Sequence, residues 1–459
     1  MQEKLALECG KLNIWSKKKL EASFSVLLIF LKQTKHFSIL YSLFWLEPSQ
    51  PPQPPRPTTV QQPYRRGVME EEPPIYRLPH DTLHQIFSSL PLRQIILCRS
   101  LSKFFLHLLS APSFLHLLSI SHPPLHLHLL ALRHRHTPHT SHTSHTSLSL
   151  FDPDHNTWLH FPLDFLPFHS PLPVASSHGL LYLWAQPKPK PNANPSQPDT
   201  TATKSLIACN PLTRTFRVLP HLGSAWSRHG AVLVDADHRV MVLTELAALY
   251  CHRTPKWLKF SSNLPSKPRS PLLINHSAFA LCDVGSPWRS QWKLFSCNVA
   301  ATPSPSWSRL ERHEWGDVFD VLKRPRLVRG HGNRILMVGG LKSSFALNAP
   351  CSTILVLRLD LDKLEWDEAA RMPLEMFRAF RESTKFKVFG GGDRVCFSAK
   401  RIGKLVLWDR CAAEGEQWRW IDNLPGNGDG LYRGFVFEGR LNAVPWEFRV
   451  CGWKLVINW

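Results

Sequence analysis

The sequence predicts an α+β multidomain chain: a short three-helix module followed by an all-β propeller of six or seven blades. Three observations predict it. The pairs Leu78-Pro79 and Leu90-Pro91 bracket an apolar series at helical spacing. Beyond residue 150, short runs rich in Val, Ile, Leu and aromatics, bounded by Gly, Pro, Asn and Asp, give the strand signal. A coarser repeat of about 50 residues overlays those runs, a period typical of stacked propeller blades.

Composition sets the outer bounds. The chain has 459 residues, 43% hydrophobic and 20% charged, enough for one large domain and a smaller one and too apolar for global disorder. Its 39 Pro and 22 Gly disfavour a mainly helical protein. A net charge of +20 is compatible with an acidic partner and says nothing about fold. The ten cysteines contain no Cys-x-x-Cys pair, so neither a zinc ribbon nor a compact disulfide framework is expected, and reduced thiols in cytoplasm and/or nucleus fit best.

Residues 1–68 read as a disordered or weakly structured extension. Its apolar runs, Ala22 to Leu31 and Phe37 to Leu46, are each ten residues long and are separated by Lys32, Lys35 and His36. A membrane span needs roughly 20 uninterrupted apolar residues, so no membrane partner is expected. A polyproline linker runs from Pro48 to Pro57, and Met69 opens a more ordinary beginning.

The helical module is expected over residues 75–118. Asp81 is the expected N-cap of a first helix carrying Leu83, Ile86, Phe87 and Leu90, which Pro91 stops. A second series, Leu97, Leu101, Phe104, Phe105 and Leu108, predicts a second helix, and Ser113 caps a third through Phe114 and Leu117. Such short helices carry more apolar side chains than they can bury among themselves, so part of that surface should dock on a partner.

The order Leu78-Pro79, Leu83, Ile86-Phe87, Leu90-Pro91, Arg99, Lys103, Phe105 and Pro112-Ser113-Phe114 resembles an F-box. Leu101, Ser102, Phe104 and Phe105 depart from the family's usual Val, Cys and Trp, and all but Ser102 keep the apolar volume. The resemblance implies binding to a Skp-type adaptor, and through it a cullin, by Leu78, Pro79, Leu83, Ile86, Phe87, Leu90, Pro91, Leu97 and Leu101. An unrelated helical hairpin, with these leucines serving an internal core, is the alternative.

Residues 119–149 form a linker rich in His, Ser and Thr. Nine histidines lie between 116 and 145, among them the repeat His139-Thr-Ser-His142-Thr-Ser-His145. A metal site needs fixed geometry and supporting hydrogen bonds that such a repeat lacks, so a solvated linker is expected and no metal or cofactor. The first half, from Leu117 through Leu125 to Leu130, is expected to continue as helix.

The propeller is expected over residues 150–445, before a tail at 446–459. Six units repeat strand, Asp or Asn turn, aromatic, then Leu/Met-Pro. Asp152 precedes Trp158, Asn210 Phe216, Cys251-His252 Trp257, Asp360 Trp366 and Asp409 Trp418, while Trp307 marks a more degenerate unit. A turn residue reverses the chain, and a bulky aromatic on the returning strand fills the wedge between blades. Gly339-Gly340 and Gly390-Gly391-Gly392 resemble the glycine doublet of kelch repeats. A β-sandwich is the alternative, and Leu374 to Phe380 is the main helical candidate.

An F-box followed by a kelch-like propeller resembles a group of plant F-box proteins, most closely around Glu365-Trp366 and Arg371-Met372-Pro373. It implies the substrate receptor of a ubiquitin ligase, whose protein substrate one sequence does not identify. The chain carries no phosphate-binding loop, zinc-protease helix or nucleophile elbow, so no enzyme is expected. The second function class is a transcriptional or nucleic-acid-associated cofactor, motivated by 39 basic against 27 acidic residues over 150–459. No nucleic-acid motif accompanies those charges. Their densest group is Lys323-Arg-Pro-Arg326, and a solvated basic surface, or one that attracts an acidic protein, is the simpler expectation.

Overall fold

A computed structural model describes residues 74–120, 127–133, 147–187, 204–252, 256–300, 305–316, 318–344, 350–381, 386–410, 415, 417–425 and 431–443. The extension at 1–68, the histidine repeat at 139–145 and the tail at 446–459 lie outside the described residues. The chain divides into two compact units at residue 125.

Among the described residues the expected three-helix module contains four α-helices: α1 His80–Ser88, α2 Leu92–Arg99, α3 Lys103–Leu108 and α4 Pro112–Ile120. The apolar series from Leu97 to Leu108 is split by Ser102. That residue is extended, and its hydroxyl accepts a hydrogen bond from the Phe105 amide at 3.3 Å, capping a new helix. Pro79 and Pro91 occupy the N-cap positions of α1 and α2, where a missing N–H costs nothing. Asp81 is therefore not the cap; it sits in the first turn, where its charge faces the positive end of the helix dipole. Pro112 likewise starts α4, which places Ser113 inside the helix.

The second unit is a propeller of six four-stranded antiparallel sheets, which decides between six and seven blades and against a sandwich. Three outer strands of the first blade are β1 Leu127–Arg133, β2 Ser147–Asp152 and β3 Thr157–Pro162. The second blade holds β4 Phe168–Ser177, β5 Leu180–Pro187, β6 Ser205–Asn210 and β7 Thr215–Val218. The third holds β8 Ala231–Val234, β9 Val240–Leu243, β10 Ala247–Cys251 and β11 Leu258–Ser261. The fourth holds β12 Arg269–Ile274, β13 Ser277–Asp283, β14 Trp292–Asn298 and β15 Trp307–Leu310. The fifth holds β16 Leu322–Arg329, β17 Arg334–Lys342, β18 Cys351–Asp360 and β19 Glu365–Arg371. The sixth holds β20 Phe386–Gly391, β21 Arg394–Ala399, β22 Leu405–Asp409 and β23 Gln417–Ile421.

The last strand, β24 Arg433–Gly439, returns to the first blade and pairs with β1 from Leu127↔Gly439 to Arg133↔Arg433. Closing the ring in this way removes two open sheet edges. It also corrects the expected boundaries: strand already pairs into the propeller at Leu127, ahead of residue 150, and Leu127 to Leu130, expected to be helical, are strand. Leu129, Leu130, Ala131 and Leu132 are all buried because each face of β1 meets a neighbouring blade. A strand covered on both faces reads as an unbroken apolar run, which periodicity does not distinguish from helix.

Every apolar cluster of the propeller is shared by two adjacent blades. In β5, Leu181 and Leu183 pack with β1 and β2, while Leu180, Tyr182 and Trp184 pack with β9 and β10. That alternation follows from the period of two along a strand. The expected wedge-filling aromatics are in place. Trp158 packs at 5.2 Å from Phe151 and its Nε1 donates to the Asp422 carbonyl of the preceding blade at 3.3 Å. Trp257 donates in the same sense to the Pro220 carbonyl at 3.0 Å.

The turn Asp and Asn residues have a common job. Oδ1 of Asp152, Asn210 and Asp360 accepts the amide two residues on at 3.0 Å, closing the turn between the third and fourth strands. Asn298 does the same for Ala300 at 3.0 Å, so the unit that reads as degenerate keeps the turn. The glycine doublets are not equivalent: Gly339-Gly340 lie within the second strand of their blade, Gly390-Gly391 at the end of the first strand of theirs.

Asn210 does more than close its turn. Fully buried, its Nδ2 donates to the carbonyls of Arg440 at 2.8 Å and Ala443 at 2.7 Å, fastening the chain just after β24. Asn210→Ala should cost about 2–3 kcal/mol, because the substitution strands buried acceptors. Chemical denaturation followed by tryptophan fluorescence checks this.

Candidate functional site

The helical unit sorts the nine expected contact residues into two groups. Leu83, Phe87 and Leu90 are at most 2% exposed, and Phe87 packs edge-on against Phe105 at 5.5 Å. These three build the unit's own core, which corrects the expectation that they face a partner. Leu83, Phe87 and Leu90 fall at i, i+4 and i+7, the stripe of the helix that its neighbours cover.

The other six remain accessible. Leu78 and Leu97 are 39% and 41% exposed, Pro79 and Pro91 are exposed, and Ile86 and Leu101 are half-buried. The two prolines stand at helix starts, so backbone geometry fixes their rings in place. Leu97 lies in the last turn of α2, on the side away from the buried Ile95 and Cys98.

Polar groups cross-link this scaffold. His84 is buried, with Nε2 at 3.1 Å from the Leu108 carbonyl, tying α1 to the end of α3. Arg99 Nη2 donates to Ser110 Oγ at 3.0 Å, and burial lowers its affinity for a proton. Tyr76 caps the assembly against Phe104 at 4.9 Å. Sequence reasoning did not single out His84 or Tyr76, because their role depends on partners distant in sequence.

In the propeller, all six innermost strands line a central channel with a cavity of about 530 Å³. At the end where the first strand of each blade turns into the second, charges are paired. Buried Asp235 receives Arg239 at 3.3 Å and Arg329 at 2.5 Å, and Arg239 also donates to the Asn275 carbonyl at 3.0 Å. Three blades are thereby joined. Arg394 bridges the sixth and first blades, reaching Asp409 at 3.1 Å and Asp154 at 2.7 Å.

Burial governs the described cysteines. Burial pushes the thiols of Cys98, Cys282 and Cys297 up to about 11, and those of Cys209 and Cys396 higher still, which keeps them protonated. No group of three His, Cys, Asp or Glu side chains is placed to hold a metal ion among the described residues. No helix among them is long and apolar enough to cross a membrane.

Residues 75–117 match the F-box domain family. SKP1-interacting partner 15 of Arabidopsis thaliana is 59% identical over 390 residues, covering 82% of this chain and 100% of that protein. Protein ABERRANT PANICLE ORGANIZATION 1 of Oryza sativa subsp. indica is 27% identical over 415 residues, covering 80% of this chain and 89% of its own length. Among solved structures, one of a nidogen/laminin complex is similar with a TM-score of 0.39 at 10% identity, covering 68% of this chain and 98% of that chain.

Proposed function

This chain belongs to the family of plant F-box proteins that carry a β-propeller, and we propose on that premise that it is the substrate-recognition subunit of a Skp–cullin–F-box ubiquitin ligase. The helical unit docks a Skp-type adaptor and through it a cullin, while the propeller holds the protein to be modified. The observation that carries this reading is the F-box match over residues 75–117 in a chain 59% identical to a protein named for its interaction with SKP1.

The adaptor contacts we assign are Leu78, Pro79, Ile86, Pro91, Leu97 and Leu101, all still accessible once the helices have packed. Leu83, Phe87 and Leu90 act through them, as the core that fixes their positions. The subunit performs no bond-making step itself. It works by proximity, raising the effective concentration of substrate lysines near a charged ubiquitin carrier. Its place of work is the cytoplasm and/or nucleus.

Reconstitution tests this. The purified full chain, mixed with a Skp-type adaptor and a cullin, should elute from size exclusion as one complex containing all three. Elution of this chain apart from an intact adaptor–cullin pair contradicts the assignment.

A further inference from the structure

The end of the propeller where the innermost strands begin carries a cluster of cations drawn from four distant parts of the chain. Arg269 opens β12, Lys323, Arg324 and Arg326 lie at the start of β16, Arg433 opens β24, and Arg133 ends β1. Arg133 and Arg433 stand directly opposite each other in the β1–β24 ladder. Like charges in that position destabilise a sheet.

The backbone is bent to build this arrangement. Register shifts in β12 between Arg269 and Leu272, and in β16 between Lys323 and Arg326. At each bulge a non-glycine residue with positive φ precedes a proline: Ser270 at 47° before Pro271, Arg324 at 55° before Pro325. Bulges re-aim side chains, and a non-glycine residue in the left-handed region costs free energy that the fold must recover elsewhere.

Among the described residues, Arg133, Arg326 and Arg433 are not paired with carboxylates in the way that cations at the opposite end of the channel are. There, Asp235 pairs with Arg239 and Arg329, Asp409 and Asp154 with Arg394, and Glu438 with Arg440. Here, no carboxylate among the described residues forms an ion pair with Arg133, Arg326 or Arg433. Arg269 lies over the Trp292 ring at 3.9 Å, and its Nη1 is buried without a hydrogen-bond partner. Burial, followed by the neighbouring Arg326, pulls its guanidinium down to about 10, with Asp283 opposing. Burial and then Arg324 and Arg433 lower Arg326, and burial and then Arg433 lower Arg133. Guanidinium groups crowded and half-desolvated in this way are stabilised by an anion that enters among them.

We propose that this end of the propeller binds an acidic segment of the captured protein, its Asp or Glu carboxylates held by Arg133, Arg269, Arg326 and Arg433. The identity of the ligand as a captured protein rests on the receptor function proposed above; the recognition of carboxylates rests on the cluster alone. Planar guanidinium forks match carboxylates two bonds at a time, which suits short acidic side chains reaching half-buried groups. A nucleic acid would call instead for a stripe of exposed cations tracking its backbone.

The test measures binding of fluorescent hexaglutamate to the full chain at low ionic strength, by polarisation. Wild type should bind it, hexaglutamine should not bind, and Arg326→Gln/Arg433→Gln should bind hexaglutamate at least tenfold more weakly. The variant should melt no lower than wild type, because it relieves like-charge repulsion. Equal hexaglutamate affinity in variant and wild type, or equal binding of hexaglutamine, overturns the proposal. Tighter binding of random duplex DNA than of hexaglutamate, lost in the same variant, overturns it in favour of a nucleic-acid surface. Adaptor capture is measured on the same samples: if wild type fails there yet binds hexaglutamate as described, the receptor function falls and carboxylate recognition stands.

Discussion

Leu97→Lys should abolish adaptor capture while leaving the protein folded. Leu97 is 41% exposed in the last turn of α2, so a charged side chain there meets water and not the core. A cation near a helix C-terminus is also favoured by the helix dipole, which keeps the expected change in stability within about 0.5 kcal/mol. At an adaptor interface the same lysine would be buried against apolar surface without a partner. Apolar anchors at interface centres are worth about 2–4 kcal/mol, so affinity should fall roughly 30-fold to 1000-fold. Phe87→Ala provides the contrast. Phe87 is 1% exposed and sits against Phe105, so its truncation should cost about 3–5 kcal/mol and melt the helical unit. Both variants lose the adaptor, but only Phe87→Ala loses helical circular dichroism. Retained capture by Leu97→Lys removes that side chain from the interface.

Phe437→Ala should produce a large loss of propeller stability. Its ring is fully buried on the closing strand, packs with Leu129, Leu148 and Leu181, and lies edge-on to Phe161 at 6.3 Å. The cavity should cost about 3–5 kcal/mol, lowering the melting temperature on the order of 10 °C. Because β24 is what joins the last part of the propeller to the first, the loss falls on the ring as a whole. Gly434→Val attacks the same closure by another route. A Cβ at that position would meet the Ala131 carbonyl oxygen at 2.1 Å and the Phe389 ring at 2.7 Å, so β24 would separate from β1. Calorimetry of the full chain reads both effects, and an unchanged propeller transition in either variant contradicts closure by β24.

Much of this architecture was legible in the sequence because it rests on local rules. Runs such as Val240 to Leu243 and Leu405 to Trp408 became strands, and Leu374 to Phe380 became a helix, since apolar content and turn residues already agree there. The Asp and Asn turns were visible because each bonds its own neighbourhood. The innermost strands were harder. Pro171 and Pro173 in β4, Pro271 in β12 and Pro325 in β16 look like strand breakers. An innermost strand is paired along only one edge, and its bulges accommodate proline, so these residues fit where a central strand would exclude them.

The binding surfaces were less legible for a related reason. The F-box motif marks the adaptor module, but a motif does not say which of its leucines turn inward; α1 buries Leu83 and Phe87 and leaves Ile86 half-covered. Lys323 to Arg326 stood out as a run of charge. Arg133, Arg269 and Arg433 did not, since only ring closure and the inner strands bring them to one end of the propeller. Side chains assembled from such separations leave no local signature.

The division of labour between the units is tested most directly by amide hydrogen exchange on the full chain, with and without the Skp-type adaptor. Slowed exchange should appear within residues 78–101 and nowhere between 127 and 443. Protection of propeller strands, or exchange unchanged throughout the helical unit while the adaptor is bound, would contradict it.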